Sequence, residues 1–141
     1  MKKQQTDELR QELLAANSIE HYVKAHEEQF CDQGLVELLT GAFRAKSVSK
    51  AALAKRAGMS EVYVHQIFGG RRVPSREKLI CLCIGMGCAL EETQQLLKAA
   101  GHAALYAKSK WDSIVMYGID HGKTIEEINC DLYGLDEKTL Y

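Results

Sequence analysis

The sequence predicts an all-α fold, and three observations predict it. Pro74 is the only proline among 141 residues. Apolar residues recur at helical spacing along most of the chain, whereas the strict apolar-polar alternation of a half-buried strand is hard to find. Side chains that cap helix starts and glycines that end helices punctuate those apolar patterns. With 46% hydrophobic and 26% charged residues, the chain fits one domain, or a small domain with an appendage. At this length folding buries roughly two thirds of the unfolded surface, so no metal or disulfide is required.

The elements follow in order. Thr6 is placed to cap a first helix with Leu9, Leu13 and Ala16 on one face, and Asn17-Ser18 offers a stop and a new cap. A second helix carries Ile19, Tyr22, Val23 and Phe30, and Asp32-Gln33-Gly34 breaks it. Leu35, Leu38, Leu39, Ala42 and Phe43 then mark one face of a third. Ser49 caps the next, with Val48 and Leu53 as a hydrophobic staple, and Gly58 ends it. Ser60 caps the following helix, with Met59 and Val64 as staple, and Gly69-Gly70 closes it after Phe68.

Ser75 heads a helix with Leu79, Ile80, Cys83 and Ile84, which ends near Gly85 or Gly87. Leu90, Thr93, Leu96, Leu97 and Ala100 mark another, stopped by Gly101. Trp111, Ile114, Val115, Gly118 and Ile119 share a face, and Thr124 with Glu127 forms a capping box before Ile125, Ile128 and Leu132. Roughly nine helices are expected.

Residues 72–106 align without a gap on 107–141. Identical pairs include Ile84/Ile119, Gly87/Gly122, Glu92/Glu127, Leu97/Leu132, Leu105/Leu140 and Tyr106/Tyr141. Two consecutive hairpins of one build are expected, the second packing on the first, because two copies fall short of the roughly three a solenoid needs.

Several function classes find little support. No segment approaches the about 18 apolar residues of a membrane span, and the start lacks a secretory apolar run, so a cytoplasmic protein without a membrane partner is expected. Five cysteines lie in apolar helical patterns without pairing rhythm, as reduced core thiols do. Cys81 and Cys83 stand about 200° apart around a helix, a poor arrangement for one metal. His21 and His26 read as surface histidines, and no phosphate-cradling glycine loop follows a strand. Neither catalytic residue nor cofactor nor metal site is expected.

Charge is more informative. The net charge of -1 conceals a basic centre. Residues 44–78 hold nine basic side chains against Glu61 and Glu77, while both flanks are acidic. An anionic partner for the centre is expected.

Within that centre, Lys50 to Phe68 meets the steric requirements of a helix-turn-helix. Ala54 is small enough for two helices to cross closely, Gly58 can take the positive φ of the turn, and Leu53, Val64 and Ile67 are apolar where the helices must bury. The segment SKAALAKRAGMSEVYVHQIFGGRRVPSREKLICLCIGMGCALEE resembles the Xre, or lambda-repressor-like, family of DNA-binding domains over about Leu35 to Ala100. The whole pattern is more faintly similar to Xre-type regulators of gut-dwelling Firmicutes.

The resemblance implies a lambda-repressor-like five-helix bundle at 34–101, an N-terminal helical extension at 1–33 and an additional C-terminal hairpin at 102–141. It also implies a bacterial or phage-type transcriptional regulator whose second motif helix enters the major groove of double-stranded DNA. Carried over residue by residue, Glu61, Val62 and Gln66 read bases: Gln66 matches adenine, Glu61 cytosine N4 and Val62 a thymine methyl. Ser60, Tyr63, Lys50, Arg71 and Arg72 hold the DNA backbone. Phe68 and Gly69 depart from the family's frequent glutamate and asparagine. A homodimer on two half-sites is the expected working form. The competing expectation is a protein-interaction module that keeps the fold without specific DNA binding, its partner held by the groove-facing helix or by the hydrophobic faces of the hairpins, the C-terminal one above all.

Overall fold

The structure is a computed structural model and describes residues 6–26 and 34–141. Two compact units, Met1–Gln33 and Gly34–Tyr141, are each taken separately. All regular structure among the described residues is α-helical, in nine helices. None is long and apolar enough to cross a membrane.

The first unit contributes α1 (Thr6–Ala15) and α2 (Ile19–Ala25). Thr6 is the first helical residue rather than a cap. Ser18 does cap α2, its hydroxyl accepting from the His21 amide. Tyr22 is the buried residue of the pair, and its hydroxyl donates to the Leu9 carbonyl. His26 stacks on Tyr22 and bonds both the Tyr22 carbonyl and Glu12, which together hold its imidazole above the ordinary histidine range. Ile19 and Val23, expected to face a core, are exposed, and α1 buries nothing. Phe30, Cys31, Asp32 and Gln33 lie outside the described residues.

The second unit holds α3 (Gly34–Arg44), α4 (Lys50–Ala57), α5 (Glu61–Phe68), α6 (Arg76–Met86), α7 (Leu90–Ala99), α8 (Lys110–Asp120) and α9 (Ile125–Gly134). Its core is continuous from Leu35 to Leu140. Helix α6 is central, packing on α4, α7 and α9. Leu35 and Leu39 bury as expected, whereas Leu38 is exposed, because α3 meets its neighbours along a narrower stripe than the apolar pattern offered. Gly85 does not end α6. It lies buried inside the helix, where a Cβ would stand 2.9 Å from Leu53 Cδ1, and Gly87 (φ +74°) is the terminator.

The predicted hairpins α6–α7 and α8–α9 have helices of equal length, 11 and 10 residues in each copy; α7 and α9 keep the repeat's register, while α8 begins one residue earlier than α6 would place it. Gly87 and Gly122 both take positive φ. At the head of α7 and α9, Glu92 and Glu127 reach back to the amides of Ala89 and Thr124. The bond from the Ala89 amide, followed by Lys46, holds the Glu92 carboxyl below the usual range.

The extended tails match as well. Gln94 Oε1 accepts from the Leu105 amide and Asn129 Oδ1 from the Leu140 amide, each at 2.7 Å. Arg76 Nε donates to the Ala103 carbonyl and Trp111 Nε1 to the Lys138 carbonyl, each at 2.9 Å. None of these four anchors is an identical residue pair, yet each performs the same act on the same tail position.

A bidentate ion pair joins the copies: the Arg76 guanidinium donates to Asp112 Oδ1 at 3.1 Å and Oδ2 at 2.9 Å. Asp112 is otherwise one of the few buried polar side chains. Cys81, Cys83 and Cys88 are buried free thiols, and burial pushes Cys81 up to about 11. Cys130 differs from the expectation of core thiols and is exposed.

Candidate nucleic-acid interface

Helices α4 and α5 meet across a three-residue turn built from local bonds. The Ser49 hydroxyl accepts from the Ala52 amide and the Ser60 hydroxyl from the Tyr63 amide, each at 3.1 Å, so both helix starts are satisfied by their own sequence. Gly58 has φ +70°, a conformation an L side chain enters at a steric cost. A side chain there would also strike the Tyr141 ring. Leu53, Ala54 and Ala57 of α4 and Val64, Ile67 and Phe68 of α5 are buried, and the two helices pack on each other. Leu53, Ala54, Val64 and Ile67, the residues expected at the crossing, are all buried.

Burial on that side decides what α5 presents on the other. Glu61, Val62 and His65 are exposed, Val62 by 67%. Tyr63 and Gln66 are half-buried, with Tyr63 packed against the core edge. His65 Nε2 stands 3.5 Å from Glu61 Oε1, an i,i+4 pair that the spacing could have disclosed and the sequence reading missed. Glu61 thus has a neighbour on its own helix for its charge.

Beyond α5, Gly70 (φ +77°) turns the chain, and the amides of Arg71 and Arg72 both donate to the Gln66 carbonyl. This tie fixes the backbone and leaves the two guanidinium groups exposed. Lys50 opens α4, but its ammonium lies 5.4 Å from the Phe68 ring centroid and 6.0 Å from that of Phe43. A cation over two rings is held in place, at the energy of a weak cation-π contact. Phe68 thus fills the helix exit with an aromatic platform.

The basic centre is smaller than its residue count. Lys46 pairs with Glu92 at 3.1 Å and Arg76 with Asp112, so acids from the C-terminal flank neutralise two of the nine cations. No charge count by segment could disclose this, because the partners lie 46 and 36 residues away. Arg44, Lys55, Arg56, Arg71, Arg72 and Lys78 have no carboxylate within 4 Å among the described residues. Of these, Arg71 and Arg72 directly follow α5, tied by their amides to the Gln66 carbonyl.

Residues 35–96 match the family model of a helix-turn-helix domain, a span running from α3 into α7 and including the whole α4-turn-α5 unit. The match stops short of α8 and α9. No curated protein and no solved structure matches the chain.

Proposed function

We propose that this chain binds double-stranded DNA with α5 in the major groove and regulates transcription in a bacterial cytoplasm. The observation that carries the reading is the pairing of a helix held by its buried face with an outer edge bordered by unpaired Arg71 and Arg72. The helix-turn-helix match over 35–96 and the resemblance to Xre-type regulators support it. Val62 and Gln66 read bases, Glu61 does so where His65 releases it, and Ser60, Tyr63, Lys50, Arg71 and Arg72 hold phosphates. A two-fold dimer doubles the few base pairs that one such helix reads.

Selection of bound sites from a random duplex pool, followed by affinity against salt, tests the proposal. A symmetric selected motif and a log-log salt slope of roughly -4 to -5 are expected from about four to six phosphate contacts. Arg71→Ala with Arg72→Ala should weaken all sequences alike. Gln66→Ala should relax one base position, by about 1 to 3 kcal/mol. A chain that selects no motif and shows no salt slope is instead a protein-interaction module, a reading favoured by the acids that neutralise Lys46 and Arg76.

A further inference from the structure

A cleft of about 560 Å³ opens between α4, the end of α6 and the first turn of α9. None of its lining residues belongs to α5. Its size falls in the range of about 300 to 1,000 Å³ that small-molecule sites occupy.

The lining divides by chemistry. Lys55 and Arg56 stand at the mouth, exposed, with no carboxylate within 4 Å among the described residues. Lys123 also borders it, but its ammonium is engaged by Asp131, and Glu126 is the one carboxylate on the rim. Behind the mouth lie Ile84 and Ile125. Gly87 and Gly122, the equivalent turns of the two hairpins, leave the space above them open, since a Cβ on either would meet nothing within 4 Å. An adjoining hollow of about 100 Å³ shares Ile84, Gly87, Gly122 and Lys123 and adds Ile119 and Cys88, so apolar side chains line both spaces.

Two free cations before an apolar slot define the occupant: a charged head of opposite sign on a hydrocarbon tail. We propose that this cleft binds a small amphipathic carboxylate, its head at Lys55 and Arg56 and its chain between Ile84 and Ile119. The inference stands whether or not α5 binds DNA. Because α4 forms one wall, an occupant touches the first helix of the motif and the second hairpin together.

Isothermal titration of the full chain with decanoate, decanol and decylamine, each below its aggregation concentration, tests it. Saturable one-to-one binding of decanoate is expected, with the alcohol and amine at least about tenfold weaker. Lys55→Glu with Arg56→Glu should weaken decanoate by about tenfold or more through reversal of the mouth's charge. Ala52→Phe, which projects a ring into the cleft from α4 without altering charge, should abolish binding. Circular dichroism establishes that each variant is folded, and the head-group series needs no variant at all. Equal binding of the three ligands, no saturable decanoate heat, or full binding by both folded variants overturns the proposal.

Discussion

The hairpins α6–α7 and α8–α9 have the same lengths, turns and tail anchors, yet α6 buries seven of its 11 residues and α8 four. The build is shared and the surroundings are not. Helix α6 is enclosed by α4 on one side and by the second hairpin on the other, so almost every direction around it is protein. The equivalent side of the second hairpin has no such cover. Leu82, Met86 and Leu96 are buried in the first copy, and Tyr117, His121 and Asp131 take their places in the second. There His121 stacks on Tyr117 with centroids 3.8 Å apart, and Lys123 lies over the same ring while pairing with Asp131. A polar cluster thus occupies in the second hairpin the positions that are buried in the first, which packs on α3 and α4, as the outer face of an end repeat must be closed.

Truncation at those positions separates enclosure from hairpin build. Leu82→Ala should cost about 2 to 5 kcal/mol, because the vacated space is fully enclosed. Tyr117→Ala, at the same place in the repeat but 56% exposed, should cost roughly 1 kcal/mol or less. Urea denaturation measures both, and equal losses would mean that hairpin build rather than enclosure governs stability.

The interior of each hairpin offers a sharper test. Where α6 crosses α7, Cys83 meets Thr93; where α8 crosses α9, Gly118 meets Ile128, and a Cβ on Gly118 would overlap the isoleucine. Small and large have changed partners while the two pairs fill equivalent crossings. Gly118→Cys alone should therefore destabilise by about 1 to 3 kcal/mol through overpacking. Adding Ile128→Thr, whose hydroxyl can reach the Thr124 carbonyl as that of Thr93 reaches Ala89, should restore part of the loss. A double variant as unstable as the two single losses combined would refute the equivalence.

The smallest effect lies at the ends of α7 and α9. Gly101 (φ +79°) and Asp136 (φ +62°) occupy the same left-handed position, and the next amide returns to Leu97 and Leu132 respectively. Asp136→Gly should raise the melting temperature slightly, by relief of about 0.5 to 1 kcal/mol of strain, and Gly101→Asp should lower it by a similar amount.

Much of this architecture was legible because it depends on neighbours in sequence. Ser18, Ser49, Ser60, Ser75 and the Thr124-Glu127 box each satisfy an amide three residues on, a relation that the residue types alone announce. The exchange of Arg76 for Trp111 and Gln94 for Asn129 was not legible, since identity is lost while the bond to the tail is kept. In the candidate interface the crossing residues were readable from size and apolarity. The state of its cations was not: Lys50 lies over rings from α3 and α5, and Lys46 and Arg76 find acids on α7 and α8.

Most helix caps, the glycine-hinged pair and the 35-residue repeat could be read from residue order, because each rests on bonds or steric limits spanning a few residues or on direct self-comparison, whereas Thr6 and Gly85 lie inside their helices. Which apolar stripes are covered, which charges stay free and where a cleft opens follow from how the helices pack. Those outcomes depend on what approaches from remote parts of the chain, and electrostatic pairing and burial act through space rather than along the backbone.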